Sequence, residues 1–182
     1  MPFEFEECEI HSVFLIKPKV FFDKRGFFLE TYKKSSFLEA GIKEDFNQDN
    51  FSFSKRGVLR GLHLQRKPKS QSKLVRCVRG EILDVIVDVR ANSNTFGKWL
   101  SFLLNDVNQH ILYVPDGFLH GFVVLSENAI VHYKASCEYC VSCEDGVVWN
   151  DKTLDINWRI KDPIVSDKDK LLKKFIDFEA YQ

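Results

Sequence analysis

The chain carries no net charge, because its 26 basic and 26 acidic side chains cancel. That removes any global attraction to nucleic acid or to an anionic membrane, so neither is an expected partner. An anionic ligand would have to be met by local arginines and lysines. Long apolar runs are missing too. The strongest, ILDVIVDV at 82–89, is split by aspartates and falls far short of the ~20 residues that span a bilayer as a helix. The opening MPFEFEECEI is acidic and lacks the basic-then-apolar pattern of a targeting signal. Five cysteines, an odd number, argue against a disulfide framework, and reduced thiols in the cytoplasm are expected. Repeats, low-complexity linkers and internal boundaries are absent, so one domain over 1–182 is expected. Helical periodicity is scarce.

What the chain does have is β signal. Phenylalanine is abundant, at 17 residues, and β-branched residues alternate with polar ones. The pattern predicts strands over 11–16, 26–32, 46–54, 58–65, 74–79, 82–90, 98–104, 111–114, 119–125 and 130–136. Turn chemistry separates them, as at Arg79-Gly80, Asn105-Asp106 and Pro115-Asp116-Gly117. Many short strands at this spacing make a mainly β chain, a sandwich or a jelly-roll barrel. A short helix is expected over 35–40, with a serine cap and a stop at Gly41, and a second from Ser166, with Asp167 and Asp169 in its first turn.

The most informative stretch is GVLRGLHLQRKPKSQSK at 57–73. A histidine inside an apolar strand pattern is more often a hydrogen-bonded core residue than a catalyst. Here His63 is flanked by Arg60, Gln65 and Lys73, which points to a polar cavity. Strict alternation would put Arg60 and His63 on opposite faces, because their spacing is odd. A bulge at Gly61 would turn both inward, so irregular geometry is expected there if both serve one site.

A second stretch, YVPDGFLHG at 113–121, resembles the second half of the cupin signature, a Pro-x-Gly-x-x-His turn feeding a strand. In metal cupins that histidine joins an earlier His-x-His pair and a glutamate. The corresponding pair here is His63 and Gln65. Glutamine is a poor replacement for an imidazole on a transition metal, and Lys73 would oppose a nearby cation. The expectation is a cupin barrel without a metal.

The segments DKRGFFLETY (23–32), QDNFSFS (48–54), GVLRGLHLQ (57–65), QSKLVRCVRGEILDVIVDVR (71–90), TFGKW (95–99), YVPDGFLHGFVVLS (113–126), VVWND (147–151) and VSDKDK (165–170) run in order through most of the chain. Together they resemble the dTDP-4-dehydrorhamnose 3,5-epimerase family. The resemblance implies a cupin-type jelly-roll β-barrel that epimerises a nucleotide-linked 4-keto-6-deoxy sugar without cofactor or metal. It implies His63 as general base, Asp169 as the carboxylate that supports it, Tyr133 as the acid across the sugar, and Lys73 as the cation near the keto oxygen. Arg60 and His120 match residues near the sugar or diphosphate. Arg25, Phe27, Glu30, Gln48, Asn50 and Tyr139 match positions tied to nucleotide or sugar contacts. Some of these reach across a homodimer interface in the family, so shared active sites are expected.

The residue types suit that chemistry. A ketone at C4 acidifies the hydrogens on C3 and C5, because the carbanion delocalises onto oxygen. A neutral imidazole is a fit base near neutral pH, and a lysine aimed at the C4 oxygen stabilises the enolate. Inversion needs a donor on the opposite face, and a tyrosine can supply it.

Plainer readings exist for the same residues. Tyr133 by itself reads as a packed strand aromatic, Lys73 and Arg60 as solvated strand ends, and Asp169 as a first-turn carboxylate with Asp167 as its rival. The tail SDKDKLLKKF reads as an amphipathic surface helix. Cys137, Cys140 and Cys143 form C-x-x-C-x-x-C but lack a nearby fourth cysteine, and they read as incidental thiols.

The chain departs from the family pattern at Leu64, at Leu119, in KASCEYCVSCEDG, and at Trp158-Arg159, where a Trp-Pro pair is common. These departures fall near the expected sugar- and base-reading places, so reaction type is better determined than substrate. A GDP-linked 4-keto heptose for a capsule, a single-centre epimerase, a metal-dependent cupin enzyme and a non-catalytic sugar-nucleotide module stay open as alternatives.

Overall fold

A computed structural model of the chain describes residues 2–182. In chain order its elements are β1 (Phe3–Glu7), β2 (Phe14–Pro18), β3 (Val20–Asp23), β4 (Gly26–Leu29), α1 (Lys34–Glu39), β5 (Gln48–Lys55), β6 (Val58–Gln65) and β7 (Lys73–Arg79). They continue with β8 (Glu81–Asp88), β9 (Trp99–Asn105), β10 (Ile111–Val114), β11 (Phe118–Val124), β12 (Asn128–Ala135), β13 (Glu144–Gly146), β14 (Ile164–Val165) and α2 (Asp167–Lys170). One sheet has the order β1-β2-β10-β7-β12-β5, and the other β13-β6-β11-β8-β9, with β14 beside β6. The hairpin β3-β4 stands apart as a two-stranded sheet. The mainly β jelly-roll expectation holds.

The sheets close on a core in which Val75, Cys77, Val131 and Leu112 of the first meet Ile82, Ile86, Phe118 and Phe122 of the second. The outer face of the second sheet is also buried. Leu59, Leu62, Leu64, Leu83, Val85 and Leu119 pack there against Leu154, Trp158, Phe178 and Tyr181 from the last third of the chain. Strands β8 and β11 are therefore apolar on both faces, which is why ILDVIVDV and FLHGFVV read as nearly unbroken runs. Phe3, Ile16, Leu74 and Tyr113 form a third cluster, covered by Phe37 of α1 and by Ile42.

Several expectations need correction. The strand expected over 11–16 begins at Phe14, because Ser12 turns with φ 74°. Strands β1 and β3 were not anticipated. VFFD sets two phenylalanines side by side and shows no alternation, whereas FEFEE does alternate but sits in a strongly acidic opening. The expected strand over 26–32 ends at Leu29. The first helix carries no serine cap, since Lys33 is the N-cap and makes no side-chain bond. Its stop is as expected: Gly41, at φ 92°, donates to Leu38 O and is followed by the Ile42 N–H bond to Phe37 O. The tail is one helical turn, after which Leu171 stands exposed.

Leu64 and Leu119 lie in the outer core, so these two departures do not touch the cavity described next. Arg159 sits at φ 58°, a conformation closed to proline, so the loop there differs in backbone from one built on Trp-Pro.

Candidate active site

Between the sheets lies a cavity of about 470 Å3. One wall is β6 and β11, the other β5, β7 and β12, and β14 with α2 forms the rim. Strand β6 brings Arg60 and His63 into the same space through an irregularity. His120 pairs with His63 and Phe122 with Arg60, so β6 holds one more residue than β11 between those pairs. The bulge is at Gly61, as alternation demanded. Gly61 has φ 123°, and a Cβ on it would lie 2.6 Å from Gly121 Cα. A Cβ on Gly121 would in turn lie 2.7 Å from Arg60 O. The two backbones touch, and only glycine fits at either place.

His63 Nε2 lies 2.8 Å from Asp169 Oδ1. The other carboxylate oxygen accepts the Gly61 N–H at 3.2 Å, so one buried side chain orients His63 and braces the bulge. Asp169 is placed by the parallel pairing of β14 with β6 and by the cap in which Ser166 Oγ accepts its N–H. Burial works to raise the Asp169 carboxyl. Its bonds with His63, Gly61 and Ser166 outweigh burial and hold it below the usual range. The rival, Asp167, is 97% exposed and pairs with Lys170.

On the facing wall, β7 starts with Lys73 and β12 carries Tyr133. Ala135 pairs with Lys73 and Tyr133 with Val75, so Lys73 and Tyr133 are diagonal neighbours on one face. Burial pushes the Lys73 ammonium down to about 8, against the pull of Asp84 and Glu144. Burial also raises the Tyr133 hydroxyl, and the Arg60 guanidinium opposes that shift. Arg60 is itself steadied by Nε donating to Ser54 Oγ at 3.1 Å.

Three further groups escaped sequence reading. Asp84, fully buried, holds His120 Nε2 at 3.0 Å from each carboxylate oxygen. Its signal was present as an aspartate inside a run buried on both faces, where a carboxylate must have a partner. Glu144 accepts from Tyr139 Oη at 2.6 Å and pairs with Lys168, which lines the cavity next to Asp169. Nothing in EDG announces the pairing with Lys168, because it joins segments 24 positions apart.

The other anticipated residues are not all brought together within one chain. His63, Asp169, Lys73, Tyr133, Arg60 and His120 line the cavity. Gln48 and Asn50 lie on β5, Asn50 opposite Tyr133, and bond to each other at 2.8 Å. Gln48 also accepts the Tyr139 N–H. Arg25 and Phe27 project from the β3-β4 hairpin, outside the cavity, with Glu30 just after it.

Gln65 is engaged with backbone alone, donating to Lys69 O and Glu138 O and accepting from Cys140 N. It offers no donor atom to a cation beside His63. Among the described residues no three His, Cys, Asp or Glu side chains converge as a metal set, and none of their helices is long and apolar enough to cross a membrane.

The arrangement places an imidazole backed by a carboxylate opposite a phenol and an ammonium. Such a site can remove a proton from carbon, hold the resulting oxyanion, and return a proton from the far side.

Comparison with known proteins agrees with this chemistry. The model of the family described as dTDP-4-dehydrorhamnose 3,5-epimerase matches residues 7–177. A dTDP-4-dehydrorhamnose 3,5-epimerase from Shigella flexneri is 48% identical over 176 residues, covering 96% of this chain and 97% of that one. The crystal structure of a dTDP-4-dehydrorhamnose 3,5-epimerase from Sulfolobus tokodaii superposes with a TM-score of 0.93 at 45% identity, over 100% of both chains. A Legionella pneumophila dTDP-6-deoxy-D-glucose-3,5-epimerase, solved in complex with dTDP-4-keto-L-rhamnose, superposes at 0.94 with 37% identity, over 99% of both.

Proposed function

The chain belongs to the dTDP-4-dehydrorhamnose 3,5-epimerase family, and from that premise we propose how its own residues carry out the reaction. It is an isomerase that epimerises a nucleotide-linked 4-keto-6-deoxy sugar. The observation that carries the mechanism is the opposition of the His63–Asp169 pair to Tyr133 across one cavity.

The sugar enters with its C4 ketone toward Lys73. Nε2 of His63 is engaged by Asp169, so the other ring nitrogen carries the lone pair that takes the proton from C5 or C3. Asp169 stabilises the imidazolium that forms. Lys73, protonated, holds the enolate oxygen. Tyr133 then gives its hydroxyl proton to the opposite face of the carbanion, which inverts the centre. Arg60 and His120, the latter fixed by Asp84, bind sugar and diphosphate oxygens, while Gln48, Asn50 and Tyr139 serve the rim. None of these steps calls on a metal or a redox group.

Arg25, Phe27 and Glu30 act on the cavity of a second copy. In support, the hairpin pairs only with itself and exposes 78% of Phe22 and 66% of Phe28. Phe51 and Phe53 are exposed as well, on the sheet-edge strand β5. Soluble chains seldom leave so many aromatics bare, and a homodimer would cover them. We further read 1–182 as one catalytic domain. Its five free cysteines fit a reducing compartment, the cytoplasm.

The test is deuterium uptake from D2O into dTDP- and GDP-linked 4-keto sugars, followed by NMR. Uptake and inversion at C3 and C5 of the dTDP-linked 6-deoxy sugar is the expected result. Uptake at one centre only would make this a single-centre enzyme. Preference for a GDP-linked heptose would move it to another substrate. Binding without uptake from any of them would overturn the catalytic reading.

A further inference from the structure

The thiols of the segment 137–143 have no part in the mechanism above, yet two of them are built into a definite arrangement. Cys140 Sγ and Cys143 Sγ lie 3.1 Å apart, and Ser142 Oγ lies 3.3 Å from Cys140 Sγ. The two residues bracket one tight turn, in which Cys143 N donates to Cys140 O at 3.1 Å. Such a turn keeps its end Cα atoms within about 7 Å, the span a disulfide bridges. Each cysteine is pinned to the end of the strand that carries His63. Gln65 Oε1 accepts the Cys140 N–H at 2.6 Å, and Arg66 N donates to Cys143 O at 2.8 Å. Their chain neighbours are Tyr139 and Glu144, joined side chain to side chain at 2.6 Å, and Glu144 pairs with Lys168 beside Asp169.

We propose that Cys140 and Cys143 are a peroxide-reactive pair that closes to a reversible disulfide, and that closure disturbs the Tyr139–Glu144 contact and weakens substrate binding. The second half rests on the functional reading above; the first does not. Hydrogen bonds from Ser142 and Cys143 hold the Cys140 thiol down at about 7, while Cys143 is pushed up by the same bond and by burial. Cys140 is thus the nucleophile and Cys143 the resolving thiol. The Cys140 thiolate attacks a hydroperoxide, an S–O bond forms, the O–O bond breaks, and alkoxide leaves to be protonated. Cys143 then attacks the sulfenic sulfur, the S–S bond forms and water departs. Two thiols are oxidised by two electrons, and the peroxide is reduced to alcohol and water. Drawing the sulfurs from 3.1 Å to bonding distance moves the turn that Tyr139 and Glu144 flank.

The test treats the reduced full chain with hydrogen peroxide, blocks remaining thiols, and maps cysteines by mass spectrometry. The Cys140–Cys143 peptide should lose two hydrogens, with Cys8 and Cys77 still reduced and a thiol reductant reversing the change. In Cys143→Ser, Cys140 should accumulate as a sulfenic acid trapped by a 1,3-diketone. Oxidation should raise KM about threefold or more with kcat nearly unchanged, and Cys140→Ser/Cys143→Ser should be indifferent to peroxide. Persistently free thiols, a disulfide made with Cys137, or an unchanged KM after complete closure would overturn the proposal. If the reduced chain turns over no 4-keto sugar, the functional reading fails, and the mass map still decides whether the disulfide forms.

Discussion

His63 Nε2 and Asp169 Oδ1 lie 2.8 Å apart although 106 positions separate them in the chain. The contact exists because β14 runs parallel to β6 and delivers a one-turn helix onto the bulge that aims His63. Asp169→Asn keeps the size of the side chain and removes its charge. The imidazolium then loses its counter-charge, and kcat should fall by about 10²–10⁴-fold. His63→Ala should abolish exchange at both carbons while circular dichroism stays native. A folded His63→Ala with near-normal turnover would sink the base assignment.

Tyr133→Phe separates proton removal from inversion. His63 still takes and returns a proton on one face, so deuterium should enter the starting sugar. Inverted product should drop about 10²-fold or more. NMR of the sugar after incubation in D2O reads both at once. Equal loss of exchange and inversion would mean that Tyr133 only shapes the cavity.

The Lys73 ammonium, held down at about 8, gives a pH signature. It must be charged to hold the enolate, so kcat should decline as pH rises through about 8. Lys73→Met should remove that limb and lower kcat by about 10²–10³-fold. Stability responds the other way. Between about 8 and the ordinary lysine value the unfolded chain binds a proton that the folded chain has released, so stability rises with pH across that window. Denaturant midpoints at pH 7.5 and 9.5 should show the rise in the parent chain, smaller in Lys73→Met.

Gly61→Ala places a Cβ 2.6 Å from Gly121 Cα at a φ of 123°. Neither backbone can yield, because Gly61 N is held by Asp169 and the facing strand is buried on both sides. The cost should be about 2–3 kcal/mol, read as a lower denaturant midpoint. Activity should fall further than stability explains, since Arg60 and His63 lose their common face.

Phe22→Ser with Phe28→Ser strips the hairpin of exposed aromatic surface. If the proposed homodimer forms, light scattering should show a dimer for the parent chain and its dissociation at micromolar concentration for the variant. KM should rise with dissociation, because Arg25 and Glu30 are then withdrawn from the neighbouring cavity. A stable dimer with unchanged KM would place the interface elsewhere.

Much of this protein was written in its local pattern. Alternation of period two marked most strands, and runs apolar on both faces marked the central ones. The odd spacing of Arg60 and His63 around Gly61 called for a bulge if both were to serve one site. The order of motifs implied the catalytic set. Local pattern failed in the bare β3 hairpin, which is paired but not half-buried, because alternation reports burial and not hydrogen bonding; in β1 the alternation was present, with Phe3 inward and Glu4 outward, and the acidic opening masked it. It also failed where partners met across long separations. Register within VSDKDK favoured Asp169 over Asp167, and the turn after β14 brings Asp169 onto His63 while Asp167 faces solvent. Asp84 met His120 through the pairing of β8 with β11, and Glu144 met Lys168 only when α2 was brought to the rim. Sequence by itself determined the kinds of element and the residue types available for proton transfer, because these follow from near neighbours and side-chain chemistry. Which carboxylate meets which imidazole was decided by tertiary structure alone, because strand pairing and buried charge can be satisfied only once the whole barrel has formed.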